Sequence, residues 1–156
     1  MLPSTLIPVL AAWAIAFLPA QSLAFSTQDN CQLLKGMVAD AGNAFKNFRR
    51  ETYMKTEVSD EYHARDKFSS ASRCTVIEGK KWFNQNISCD LQNMDMPQAQ
   101  QFVESCLGSS VKLSERYNLN HHKVFNFTSP VAGSVSLWRP GGDMHLTIDR
   151  SEKPAP

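Results

Sequence analysis

The sequence has little net charge. Its 16 Lys and Arg residues nearly balance its 15 Asp and Glu residues, which gives +1 at pH 7 over 156 residues. A nearly neutral protein has no long-range field that would gather nucleic acid or an acidic polymer. We therefore expect no nucleic-acid partner.

The sequence also lacks the short motifs of common catalytic sites. It contains no GxSxG or HExxH segment, and these are the patterns that mark many hydrolases. Without a CxxC pair, the cysteine spacing supports neither a thioredoxin-like redox site nor a zinc knuckle. We expect no catalytic residue and no cofactor, with a small hydrolase as the third alternative for the function.

Only one long apolar run is present, at residues 6–18 near the N-terminus. Its length is typical of a signal-peptide core and short for a membrane span. Ser22 and Ala24 are the small residues that a signal peptidase accepts, so residues 1–24 are predicted to be a signal peptide. The first five residues lack Lys and Arg, and an uncleaved anchor is the alternative. We expect export to the periplasm or secretion, without stable membrane insertion after cleavage.

No Pro-, Gly- or Ser-rich linker and no internal repeat divides the remaining chain. About 130 residues suffice for one domain with one modest core. The sequence therefore predicts a single domain over residues 25–150, followed by a flexible C-terminal tail at residues 151–156.

All four cysteines follow the predicted cleavage site: Cys31, Cys74, Cys89 and Cys106. An even number in a small exported domain predicts two structural disulfides. Four cysteines allow three pairings. We favour Cys74–Cys89, on adjacent strands, with Cys31–Cys106, on two helices.

Two helices are predicted from apolar spacing. Residues 30–50 carry apolar side chains at steps of three and four, as one face of a helix requires. A second helix begins with Asp95 as N-cap, Pro97 in the first turn and Gln98 at the capping-box position. Gly108 is predicted to end it.

Strands are predicted at residues 74–78, 82–91, 123–128, 134–138 and 144–149, with a further strand at 53–58 that rests on composition alone. Residues 60–67 are predicted to be a charged surface loop, and a polar link is predicted after the second helix. The fold class is α+β, with the order α-β-β-β-α-β-β-β. Two helices pack on one face of a small antiparallel sheet, stabilised by disulfides.

Histidines offer a candidate metal site near the C-terminus. His121, His122 and His145 could supply imidazole ligands for zinc or copper. Adjacent histidines on an extended segment point to opposite faces, so one site would use His121 or His122 but not both. A small metal- or ligand-binding periplasmic protein is therefore the second alternative, although we assign no metal ligand.

Two sequons, at Asn86 and Asn126, matter only in a eukaryotic secretory pathway. We favour the bacterial periplasm and leave the eukaryotic alternative open.

Protein binding is the leading functional prediction. Trp82 and Trp138 both fall on predicted strands, and aromatic residues on an uncovered sheet face are typical of binding hot spots. The sequence therefore predicts a small non-catalytic binding module, such as an inhibitor, an immunity-type protein or an envelope-accessory protein. Its partner is predicted to be another protein.

Overall fold

The computed structural model describes residues 28–80, 84–129 and 131–150. The predicted signal peptide at residues 1–24, Trp82 and the predicted tail at residues 151–156 lie outside the described residues. Two α-helices and eight antiparallel strands are found in the described part, so the mixed α+β class is confirmed.

The helices are α1 (Gln28–Asp40) and α2 (Met96–Leu107). The strands are β1 (Arg49–Lys55), β2 (Ser59–Ala64), β3 (Ala71–Gly79), β4 (Gln85–Leu91), β5 (Val111–Asn118), β6 (His122–Phe127), β7 (Gly133–Trp138) and β8 (Met144–Arg150). Four strands follow each helix, where the sequence predicted three.

The second predicted helix is confirmed at both ends. The backbone N–H of Gln98 donates to Oδ1 of Asp95 at 2.8 Å, and the backbone N–H of Asp95 donates to Oε1 of Gln98 at 3.0 Å. This reciprocal pair satisfies two backbone donors at the start of α2. Gly108 follows the helix with φ 51°, a conformation that favours glycine.

The first helix is shorter than the predicted residues 30–50, because the chain turns after Asp40. The Asp40 carboxylate accepts hydrogen bonds from the backbone N–H and the side-chain amide of Asn47, at 3.0 and 2.6 Å. Such local bonds compete with the next helical turns. The chain continues through two short 3-10 turns, Ala41–Asn43 and Lys46–Phe48, and Arg49 opens β1 instead of belonging to the helix.

Two strands lie where the sequence predicted loop or link. The predicted loop at residues 60–67 contains most of β2, which has polar contacts with the next strand: the hydroxyl of Tyr62 donates to Oε2 of Glu78 on β3 at 3.0 Å. The predicted polar link after α2 contains β5, which lies at one edge of the sheet. Charged side chains are typical of edge strands because they discourage pairing with other chains.

The sheet consists of two halves with the same order of elements. Its strand order is β1-β2-β3-β4-β8-β7-β6-β5, so the halves meet through β4 and β8. Ser88 pairs with Thr147 at the middle of this antiparallel ladder. A local twofold axis therefore passes through this pair and relates β4 to β8. A residue that follows Ser88 by two positions, for example, is equivalent to the residue that follows Thr147 by two positions.

One hydrophobic core joins the helices to one face of the sheet. It contains the buried residues of both helices together with alternate residues of β4 and β8, namely Ile87, Cys89, Leu91, Met144, Leu146 and Ile148. We call this side of the sheet the covered face. Phe102 of α2 is 2% exposed and meets the ring of Phe68 edge-on, with the ring centroids 5.8 Å apart.

Both disulfides follow the pairing favoured from the sequence. Cys31–Cys106 joins α1 to α2 and thus links the two halves of the molecule. Cys74–Cys89 joins β3 to β4 within the first half. Neither α1 nor α2 is long and apolar enough to cross a membrane, and the described residues contain no other helix that is.

Candidate functional site

The face of the sheet opposite the core carries mostly polar side chains. Residues alternate between the two faces of a strand, so the neighbours of buried Ile87, Cys89 and Leu91 point away from the core. We call this surface the open face. On the central strands its residues are Asn86, Ser88, Asp90, His145, Thr147 and Asp149.

A row of hydroxyl side chains crosses the middle of the open face. Thr75, Ser88, Thr147 and Ser136 are successive register partners on β3, β4, β8 and β7. Ser88 Oγ and Thr147 Oγ1 lie 3.3 Å apart and share a hydrogen bond at the local twofold axis. Hydroxyl groups can donate or accept, so this row is compatible with many polar partners.

An aromatic row crosses one end of the open face and has Trp138 at its centre. Trp138 pairs with His122 on β6 and with His145 on β8. The rings of Trp138 and His145 are 5.9 Å apart between centroids, and those of Tyr117 and His122 are 5.4 Å apart. Trp138 is nevertheless 48% exposed. The row formed by Tyr117, His122, Trp138 and His145 is the largest aromatic feature that we find on this face of the described residues.

Polar contacts hold both histidines of the aromatic row. Nδ1 of His145 donates to Oδ1 of Asp90 at 2.8 Å, and Arg73 donates to the other oxygen of Asp90 at 3.2 Å. Nε2 of His122 lies 3.1 Å from Oγ of Ser136. The rings beside Trp138 are thus ordered before any partner arrives, which reduces the entropic cost of binding.

A different environment surrounds Asp149, at the opposite end of β8. Asp149 lies between Asn86 and Ser134 in the register of the sheet. Burial raises the pKa of its carboxyl group from 3.8 to about 6, because the charged form loses water. Oδ1 of Asn86 is buried and has no hydrogen-bond partner within the described residues.

The structure brings together three of the residues singled out from the sequence. Trp138, His122 and His145 lie in one row, while His121 is exposed in the connection from β5 to β6. Trp82 falls outside the described residues. Sequence reasoning missed Asp90 and Asp149, because nothing in either strand's pattern indicates that β4 and β8 are neighbours.

His122 and His145 make polar contacts with different residues. They lie on β6 and β8, with Trp138 of β7 between them. Nε2 of His122 lies 3.1 Å from Oγ of Ser136, and Nδ1 of His145 lies 2.8 Å from Oδ1 of Asp90. In the described ranges, no group of three or more His, Cys, Asp or Glu residues is arranged to hold a metal ion.

His122 and Ser136 form the contact that most resembles a base with a nucleophile. Acyl transfer also needs donors aimed at the developing oxyanion, often free backbone N–H groups. The backbone around Ser136 pairs with β6 on one side and β8 on the other. It therefore supplies no obvious oxyanion site, and the geometry of this pair favours support of the aromatic row over hydrolysis.

Comparisons with protein-family models, with curated proteins and with solved structures found no match to this chain.

Proposed function

We propose that this protein is a small exported module, periplasmic or secreted, that binds another protein through the open face and performs no catalysis. The helices cover one face of the sheet and leave the other to the partner. The observation that carries the proposal is the ordered aromatic row around half-exposed Trp138.

The chemistry of the aromatic row is that of a binding hot spot. Tryptophan, tyrosine and arginine dominate such positions, and the two aromatic residues bury much area at a small entropic cost. Trp138 lies between two histidines, and Asp90 and Arg73 extend the row as a polar rim. An apolar centre with a polar border is the usual anatomy of a protein interface.

The size of the open face is also suitable. Eight strands span about 34 Å at 4.8 Å spacing, and six residues of a strand extend about 20 Å. The resulting area of about 700 Å² is close to the roughly 800 Å² that each partner contributes to a standard interface. The open face is therefore large enough for one partner domain.

Export is supported by the two disulfides, which persist in oxidising compartments. The predicted signal peptide at residues 1–24 agrees with that compartment. The alternative of a metal-binding protein predicts a rise in Tm with Zn²⁺, Cu²⁺ or Cu⁺, whereas the proposal of protein binding predicts none.

The proposal is tested by comparing Trp138→Ala with Val58→Ala. Both side chains are nearly half exposed, but Val58 lies in the turn between β1 and β2, away from the aromatic row. After crosslinking in the producing cells, we expect a discrete partner with wild-type and Val58→Ala protein. Trp138→Ala should lose that partner while its Tm stays within about 2 °C, since surface substitutions change stability little.

Recovery of the same partner at the same yield with Trp138→Ala would contradict a role for the aromatic row. Recovery of non-specific proteins alone from wild-type protein would contradict protein binding itself.

A further inference from the structure

Asp149 and Asn86 bring two oxygen acceptors together at the end of the open face that lies away from Trp138. They are register partners on β8 and β4. Burial raises the pKa of the half-buried Asp149 carboxyl group, with no cation among the causes, and the buried Oδ1 of Asn86 accepts no hydrogen bond from a described residue. Native proteins pair most buried polar atoms, so such a cluster calls for a physical explanation.

The equivalent carboxylate in the other half is fully paired. Around the local twofold axis, Asp90 corresponds to Asp149 and His145 corresponds to Asn86. Asp90 receives hydrogen bonds from His145 and Arg73. The same position in the two halves therefore holds a carboxylate paired with a cation in one and a carboxylate without a cation among the described residues in the other.

Charged groups in the same row as Asp149 are distant. The open-face row through Asp149 contains Glu61, Ile77, Asn86, Ser134, Asn126 and Lys112. Two residues of this row are charged, Glu61 and Lys112. Each lies three strands from Asp149, or about 14 Å. The diagonal neighbours in the central row, Ser88 and Ser136, do not ionise at neutral pH.

Along β8 itself, the next titratable side chain on the open face is His145, four residues or about 13 Å away. Arg150 follows Asp149 directly but points to the covered face, where it donates to Oε1 of Gln85 at 3.2 Å. The carboxylate of Asp149 therefore lacks a close cation among the described residues. A cation from outside could pair with it without displacing a cation of the described residues.

We propose that Asp149 and Asn86 form a docking site for an arginine side chain of the partner protein, an inference that rests on the proposed function. A guanidinium group presents five N–H donors in a plane, so it can donate to a carboxylate and a neighbouring carbonyl oxygen together. It is also less strongly hydrated than an ammonium group, which suits a partly buried site.

The docking site and the aromatic row form a two-point surface. Asp149 and His145 are four residues apart on β8, so their side chains lie about 13 Å apart on the same face. Trp138 lies one strand further across, beside His145, so a matching partner presents its arginine about 14 Å from the apolar group that packs on Trp138. In an extended segment, these two side chains would be four residues apart.

The test titrates the full mature protein with N-acetyl-arginine amide and follows the ¹³C resonance of the Asp149 carboxyl group. N-acetyl-lysine amide is the second probe, and Asp149→Asn and Asp66→Asn are the compared variants; Asp66 is exposed in the connection from β2 to β3, outside the aromatic row and the docking site. We expect saturable shifts at Asp149, Asn86 and Ser134, and an affinity about tenfold or more lower in Asp149→Asn. Asp66→Asn should bind the probe as wild-type protein does.

A second measurement needs no substitution. The affinity for N-acetyl-arginine amide should fall about tenfold between pH 7 and pH 5, because protonation removes the charge of Asp149. An unchanged affinity at pH 5, or an equal loss in Asp149→Asn and Asp66→Asn, would overturn the proposal. Equal affinity for the lysine probe would overturn the assignment to arginine.

A pKa of Asp149 at or below 4 in the free protein would also overturn the proposal, since a cation of the chain itself would then already be in place. These titrations use no partner. They can fail while Trp138-dependent capture succeeds, and they can succeed while capture fails.

Discussion

Asp90 and Asp149 occupy equivalent positions beside the local twofold axis, but their carboxylates have opposite surroundings. Asp90 accepts hydrogen bonds from His145 at 2.8 Å and from Arg73 at 3.2 Å. Asp149 lies between Asn86 and Ser134, and burial raises the pKa of its carboxyl group. The two halves share their architecture and differ in chemistry where the open face carries charge.

Asp149 predicts a specific pH dependence of stability. The folded-state pKa of about 6 exceeds the ordinary value of 3.8, so the folded protein holds this proton more tightly than the unfolded chain. The resulting stabilisation is complete below pH 4 and is lost as pH rises through about 6. It amounts to at most about 3 kcal/mol.

Asp149→Asn should remove this contribution. The difference in unfolding free energy between variant and wild type should favour the variant increasingly from pH 4 to pH 7, as measured by urea denaturation at each pH. A difference that stays constant across this range would show that the folded and unfolded pKa values of Asp149 are equal.

The disulfides should contribute unequally to stability. Cys31 and Cys106 are 75 residues apart in sequence, and Cys74 and Cys89 are 15 apart. Loop-closure entropy predicts about 4 kcal/mol for the first bond and about 3 kcal/mol for the second. The paired variants Cys31→Ala/Cys106→Ala and Cys74→Ala/Cys89→Ala, compared by urea denaturation, should rank in that order. The reverse order would mean that loop length does not decide their contributions.

Packing of α2 is tested by Phe102→Ala against Gln101→Ala. Truncation of the buried Phe102 side chain to alanine should lower the free energy of unfolding by about 3–5 kcal/mol. Gln101 is exposed on the same helix, and its truncation should lower the free energy of unfolding by less than about 0.5 kcal/mol. A loss below about 1 kcal/mol for Phe102→Ala in thermal or urea unfolding would contradict the helix register.

Export is tested by the intact mass of the protein from its own host, with and without reduction and alkylation. We expect a chain that begins at Phe25 and takes up alkyl groups only after reduction, because both cysteine pairs are bonded. Retention of residues 1–24 would contradict cleavage after Ala24. Hexose-sized increments would indicate a eukaryotic secretory pathway in place of the periplasm.

Local patterns predicted part of the fold well. Asp95 and Gln98 supply a capping box that depends only on residues three apart, so α2 could be located from the sequence. The strands β2 and β5 were missed because most of their side chains are polar or charged, a composition that resembles a surface loop. The repeated order of a helix followed by strands was predicted, but with three strands in each half where the structure has four.

The candidate site was only partly predictable. Trp138 stood out as an aromatic residue on a predicted strand, whereas the contact between His145 and Asp90 joins residues 55 positions apart. The register of β4 against β8 creates that contact and also places Asp149 beside Asn86. The spacing of residues within one strand does not predict how that strand is aligned with a strand far away in the sequence.

The most direct test of protein binding through the open face is site-specific photo-crosslinking in the producing cells. A photoreactive residue at Asn126 on the open face of β6 is compared with one at Gln101 on the exposed side of α2. We predict a discrete crosslinked species from Asn126 that is absent from Gln101 and disappears when Trp138→Ala is added. The same species from Gln101, or no discrete species from Asn126, would contradict the account.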